Sequence, residues 1–265
     1  MRITLIILAL ALWLGACAGI SPDSPEGRTS AHFEAIRGDR TLTRAFLQAM
    51  PKGADLHTHL SGAVYAEAYI RWAADPELHL CYDPGTRAIA ECGAHAPPMA
   101  KPDCGGATQV RMSDAATSDS CIAAITDNLS MRNFRPNPLW EQRSGHDQFF
   151  STFARFGAVS GDHKAESLAW IARNAALQNV VYVEPMMTLG WVNPATLGVT
   201  QKLKGGSDAE LAAFEKALLD HGFAKQVDAG AKILNDAMAG AREQMGCAGS
   251  TPEPGCTVTL RQLGQ

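Results

Sequence analysis

No stretch of this 265-residue sequence is apolar for long enough to cross a bilayer as a helix; the run from Leu5 to Leu14 falls well short of the roughly 20 residues a span requires. Clusters of Lys and Arg are missing as well, and the net charge is −4, so there is no electrostatic footprint for nucleic acid or for an anionic membrane surface. Cys-x-x-Cys spacing does not occur, which argues against structural zinc held by thiolates. Repeats and low-complexity tracts are absent too. With 46% hydrophobic and 19% charged residues, the composition argues against a disordered chain.

What is present begins with an export signal: a charged start at Met1-Arg2-Ile3-Thr4, the apolar run, and small residues at Gly15-Ala16. Leu14-Gly15-Ala16-Cys17 resembles the lipobox of bacterial lipoproteins, whose cysteine is lipidated as the signal is removed. That resemblance implies a signal over residues 1–16, a lipid on Cys17, and a mature chain held to a membrane on the periplasmic or cell-surface side. The polar, Pro/Gly/Ser-rich residues 18–30 read as a tether. About 249 residues then remain, enough for one large domain with a sizeable core. Setting Cys17 aside leaves six cysteines, an even number in a chain that leaves the reducing cytosol, so disulfides are expected. Cys247 and Cys256 bracket a turn-rich segment and are expected to pair. Cys81, Cys92, Cys104 and Cys121 allow three pairings.

Hydrophobic periodicity orders the rest. Residues 31–50 have helical spacing up to Pro51; residues 54–60 alternate as a strand, and a helix opens at Gly62. Residues 75–122 show little periodicity and read as a surface insertion stapled by disulfides. Residues 138–157, with Leu139, Trp140, Phe149, Phe150, Phe153 and Phe156, predict a helix with an aromatic face, followed by another over 163–178. Val180-Val181-Tyr182-Val183 reads as a buried parallel strand. Ser207 and Glu210 form a capping box that opens a long or broken helical region to about Met245, and Thr257–Leu260 reads as a third strand. This order of strands and helices predicts an α/β fold with a parallel sheet or barrel.

The chemistry concentrates at His57 and His59. Side chains on a strand alternate, so both imidazoles point to one side near the strand's C-terminal end, a geometry suited to two ligands on one metal. An isolated His-x-His also arises by chance on exposed strands; the surrounding residues make the difference. Met50-Pro51-Lys52-Gly53-Ala54-Asp55-Leu56-His57-Thr58-His59-Leu60-Ser61-Gly62-Ala63 closely resembles the strand-one signature of the adenosine deaminase family, Pro-Lys-x-x-x-Leu-His-x-His-Leu-x-Gly, and its Lys-Gly form is similar to the secreted, growth-factor-type branch. Phe149-Phe150-Ser151-Thr152-Phe153 resembles the helix that gives the family an apolar lid over the purine, and Val181-Tyr182-Val183-Glu184 resembles its second strand. The resemblance spans roughly residues 42–73 and 138–262.

It implies the N-terminal portion of a (β/α)8 barrel with a cysteine-rich insertion, zinc bound by His57 and His59, substrate contacts from Ser61, Gly62, Phe149, Phe150 and Phe153, and hydrolytic deamination of adenosine or deoxyadenosine. Ser61 stands where many members carry an Asp, and Pro185-Met186-Met187 where they usually carry an Arg after Val-Glu. The family's proton-transferring glutamate lies in a His-x-x-Glu motif on a later strand, with a third histidine and an aspartate completing the metal site. None of the remaining histidines follows a recognisable fourth or fifth strand, and three strands by residue 262 fall short of the eight that close a barrel. The expectation is an incomplete barrel whose catalytic glutamate lies beyond Gln265, with a complementing C-terminal polypeptide as one source of it and a truncated gene model as the other explanation. Two other readings remain: another amidohydrolase, because His-x-His on strand one is widespread among metal-dependent barrels, and a surface lipoprotein fragment that binds without turnover.

Overall fold

The computed structural model describes residues 21–93, 96, 98–135, 144–189 and 194–264. Residues 1–16, expected as a signal, and Cys17, Leu139 and Trp140 lie outside the described residues. The chain divides into two units, Met1–Pro51 and Lys52–Gln265.

In the first unit the helical stretch is two helices, α1 (Pro25–Ile36) and α2 (Arg40–Ala49). Ser24 caps α1 by accepting from the Gly27 N–H, and Asp39 caps α2 by accepting from Thr41 and Leu42. The break is therefore written in Gly38-Asp39, where a carboxylate next to the chain favours a helix start over continuation. Phe33 and Phe46 meet across the pair at 5.4 Å.

The second unit opens with β1 (Gly53–His59), followed by two short helices, α3 (Leu60–Ala63) and α4 (Ala66–Ala73), so the helix expected from Gly62 is interrupted at Val64-Tyr65. The cysteine-rich stretch then departs from the expectation of a loop-rich surface excursion. It builds an antiparallel sheet in the order β3-β2-β4 from β2 (Leu80–Asp83), β3 (Ala88–Glu91) and β4 (Val110–Arg111), then α5 (Met112–Ala115) and α6 (Asp119–Leu129). Disulfides Cys81–Cys92 and Cys104–Cys121 close it. Tyr82, Ile89, Val110, Met112 and Ile125 are buried there in one cluster with Tyr69 and Ile70 of α4. Strands this short carry too few residues for alternation to register in sequence, while their burial makes them core.

Helices α7 (Gly145–Arg155), α8 (Gly157–Ser160) and α9 (Lys164–Leu177) lead to β5 (Val180–Met187), then α10 (Pro194–Gln201), α11 (Asp208–Asp220), α12 (Phe223–Gln244), β6 (Thr259–Leu260) and β7 (Leu263–Gly264). Ser207 and Glu210 form the expected capping box on α11. The long helical region breaks at Gly222, whose φ of 90° lies in the left-handed range open to glycine. β5 runs parallel to β1 on one side and to β6 and β7 on the other, giving the parallel sheet that the order of elements implied.

The helix-facing side of this sheet is the second core. Val183 and Met187 of β5 pack with Leu168, Ala172 and Ala175 of α9 and Ala237 and Ala241 of α12. Small residues let the two helices close up: a Cβ added at Gly240 would stand 3.0 Å from that of Ala165. Disulfide Cys247–Cys256 folds the segment after α12 back beneath α9, where Arg173 holds Glu253 at 2.5 and 2.9 Å. No helix among the described residues is long and apolar enough to cross a membrane.

Candidate functional site

The two histidines project from the far end of β1. His59 lies in register with Met186 and Thr58 with Pro185. On β5, Val183, Pro185 and Met187 are buried against the helices, whereas Tyr182, Glu184 and Met186 alternate toward the opposite, open side. Because neighbours in register share a side, His59, and with it His57, belongs to the open side. Both residues are exposed, and their ring centroids are 5.6 Å apart with planes at 74°.

Two imidazoles on one zinc, each nitrogen at about 2.0–2.1 Å, put their ring centroids roughly 5 Å apart, so the donor type and spacing fit the ion. Among the described residues no group of three or more His, Cys, Asp and Glu side chains gathers as a metal site. Two imidazoles alone would supply half of a tetrahedral donor set.

His59 also meets Phe153 edge-on at 6.3 Å, which connects the pair to α7. Ser144 and Asp147 cap α7 reciprocally, and the helix presents Phe149 and Phe153 at i and i+4. Phe153 packs directly on Gly62: a Cβ there would lie 2.8 Å from the ring's Cζ, so only glycine lets the ring come this close. Gly62, Phe149 and Phe153 line one cavity of about 350 Å³, bounded also by Tyr65, Leu129 and Phe156. Ser61 and Phe153 line a second, of about 340 Å³, with Lys164, Ser167 and Thr188. Four of the five residues expected at the substrate site thus line these two cavities. The fifth, Phe150, is 59% exposed, meets His146 at 4.6 Å with the rings tilted and stacks on Phe153 at 6.3 Å, but lines neither cavity. His57 and His59 stand outside the lining of both.

Tyr69 is the residue the sequence did not single out. Fully buried on α4 and stacked on Phe156 at 4.8 Å, it donates its hydroxyl to the Ser61 carbonyl at 2.7 Å and so ties the turn after β1 to the core around the cysteine-rich sheet. Burial pushes its phenol well above the usual tyrosine range, so the hydroxyl stays a donor. On β5 the Tyr182 hydroxyl donates to Glu184 at 2.6 Å, and that bond also raises the phenol.

One His-x-x-Glu spacing does exist in the chain, His163-Lys164-Ala165-Glu166, but it opens α9 instead of following a strand. Its imidazole stacks on Trp72 at 5.1 Å and bonds the Val159 carbonyl through Nδ1 at 2.9 Å, and Glu166 occupies the first helical turn, where an acid favours the helix dipole. Helix initiation and packing account for both.

Compared with known proteins, the chain matches no family model and no curated protein.

Proposed function

We propose that this chain carries part of the active site of a zinc-dependent hydrolase that deaminates adenosine or deoxyadenosine. The observation that carries the reading is the His57–His59 pair, side by side at the C-terminal end of a parallel strand and flanked by the Pro-Lys and Leu-Ser-Gly residues of the deaminase-like motif. Ligands collect at that end of the strands in parallel α/β folds. His57 and His59 would hold the zinc, which when bound makes hydroxide available near neutral pH by lowering the pKa of its water.

The other named residues have supporting tasks. Phe149 and Phe153 offer an apolar wall to a purine, Gly62 gives Phe153 room, and Ser61 presents a hydroxyl where a ribose would be recognised. A further histidine, an aspartate and a proton-transferring glutamate would complete the chemistry that the motif implies, and the parallel sheet would form part of a (β/α)8 barrel. Three disulfides support an oxidising, exported location, and lipidation at Cys17 belongs to the same proposal.

Zinc uptake tests it. The purified chain, dialysed against zinc and assayed for bound metal, is expected to retain more than the His57→Ala/His59→Ala double variant. Equal retention by both proteins refutes the metal site and, with it, the hydrolase. Binding without turnover is the second reading, favoured by the exposure of both histidines, and adenosine consumption by the unaccompanied chain would exclude it.

A further inference from the structure

His57 and His59 stand where a second molecule can reach them. β1 is an edge strand that pairs with β5 alone among the described residues, and each of its residues except Thr58 is exposed. The two strands carry two carboxylates, and both are engaged elsewhere. Asp55 accepts from the His57 backbone N–H at 3.1 Å, and Glu184 accepts from the Tyr182 hydroxyl at 2.6 Å. Among the described residues no third donor gathers with the pair. Zinc takes four donors at tetrahedral angles, so an ion on these two imidazoles has two positions turned toward solvent. A two-fold axis through the ion fills both positions with the same two residues of a second chain, because an isologous contact sets each patch against its own copy.

Apolar surface adjoins the pair. His59 meets Phe153, and Phe153 meets Phe149 at 5.3 Å and Phe150 at 6.3 Å. Tyr65 and Met131 share a cavity wall with Phe149. Phe149, Phe150, Tyr65 and Met131 are between 41% and 59% exposed. A whole aromatic side chain buries roughly 150–250 Å², so four half-exposed ones present roughly 400 Å² per copy, the scale at which apolar patches mark interaction sites. Two such patches face to face reach roughly 800 Å², short of the roughly 1,200–2,000 Å² of stable interfaces. The apolar contact is too small to hold two copies by itself, and a metal bridge supplies the difference.

We propose that two copies of this chain share one zinc ion, each supplying His57 and His59, with the patch around Phe149 and Phe150 of one copy against that of the other. The shared site rests on the reading of the pair as zinc ligands and adds a regulation to it. Four imidazoles close the coordination shell, and a closed tetrahedral zinc has no open position for the water that a catalytic zinc carries. The bridged pair is therefore a stored, inactive form, and separating the copies opens the ion. Zinc supply sets the balance. Scarce zinc favours two chains on one ion, whereas excess zinc loads each chain separately and parts the copies.

Sedimentation velocity of the purified chain during a zinc titration, with bound zinc measured on each species and EDTA added at the end, tests the bridge. The expected result is a two-chain species that peaks near about half an equivalent of zinc, holds one ion per pair and reverts with EDTA. His57→Ala and His59→Ala, both at exposed positions and each verified as folded by its thermal transition, are expected to stay single. Phe150→Ser is expected to raise the dissociation constant of the pair at least about tenfold, since a symmetric contact loses the ring twice. Zinc bound one to one by single chains overturns the shared site and leaves the zinc reading intact. Absence of zinc binding, or equal binding by the histidine variants, overturns both. Pairs that survive EDTA unchanged overturn the metal bridge, and zinc retention by the histidine variants then decides the zinc reading separately.

Discussion

Substituting Gly62 by alanine tests whether the turn after β1 and the aromatic face of α7 are packed as one unit. The added Cβ would stand 2.8 Å from Cζ and 3.1 Å from Cε1 of Phe153, inside the 3.4–4 Å of ordinary contact. A ring edge can sometimes swing away, but Phe153 is held between Phe149 at 5.3 Å, Phe156 at 5.5 Å and His59 at 6.3 Å, so displacement passes into its neighbours. Overpacking of this kind costs about 1–3 kcal/mol. At the roughly 2–4 °C per kcal/mol usual for domains of this size, the midpoint should fall by about 2–12 °C. Thermal unfolding followed by circular dichroism gives the shift, and a double-mutant cycle with Phe153→Leu gives its cause. In the leucine background the same glycine substitution should cost at least about 1 kcal/mol less, because the clashing atoms are gone. An unchanged cost in that background would refute the contact as its origin, and no cost in either would show that the ring moves freely.

Tyr69→Phe removes the hydroxyl that serves the Ser61 carbonyl and should destabilise the chain by about 1–3 kcal/mol in urea unfolding; a loss below about 0.5 kcal/mol would mean that the carbonyl finds another donor. Replacing Cys104 and Cys121 by serine opens a link between residues 17 apart in sequence and should cost about 3 kcal/mol, read as a lower midpoint that matches the wild type only if the bond carries no constraint. Arg173 holds Glu253 below its ordinary carboxylate range, so this carboxylate contributes stability that is present above its unfolded-state pKa and is lost as pH falls through the lowered folded value. Arg173→Gln should therefore flatten the acid side of the stability–pH curve, and an unchanged acid limb would refute the linkage.

The elements located from sequence carry a clear pattern or end signal, even where none of their residues is buried. β1 alternates and follows Pro51, and α11 begins at a Ser-x-x-Glu box that forms both of its reciprocal bonds. Short elements escaped: β2, β3 and β4 hold four, four and two residues, and their stability comes from burial and two disulfides instead of from pattern. Within the site, the histidine pair was legible because it needs only the two-residue period. The Gly62–Phe153 contact and the Tyr69–Ser61 bond were not, because each joins segments whose meeting depends on the tertiary fold, and a tyrosine in an amphipathic helix looks the same in sequence whether or not its hydroxyl has a task.

β5 extends beyond the four residues its apolar run suggested, and it does so through Pro185, a residue that usually argues against a central strand. The sheet accommodates it by losing register on both sides at the same level. β1 is irregular between Asp55 and Thr58, and the opposite edge is interrupted at Arg261-Gln262 between β6 and β7. A proline has no N–H to give to either neighbour, so an unbroken ladder there would leave a carbonyl without its donor. Irregularities of this kind redirect side chains and recur beside active sites, and here the one on β1 directly precedes Thr58 and His59. Pro185→Val restores an N–H at a buried position whose neighbours are already out of step, so it should destabilise the chain by about 1–3 kcal/mol despite valine's better strand propensity. It should also weaken zinc retention if the sheet closes up and turns His57 away from His59. A valine variant more stable than the wild type, with zinc retention unchanged, would show that the break in β1 has another cause and that the histidines owe their common side to strand alternation alone.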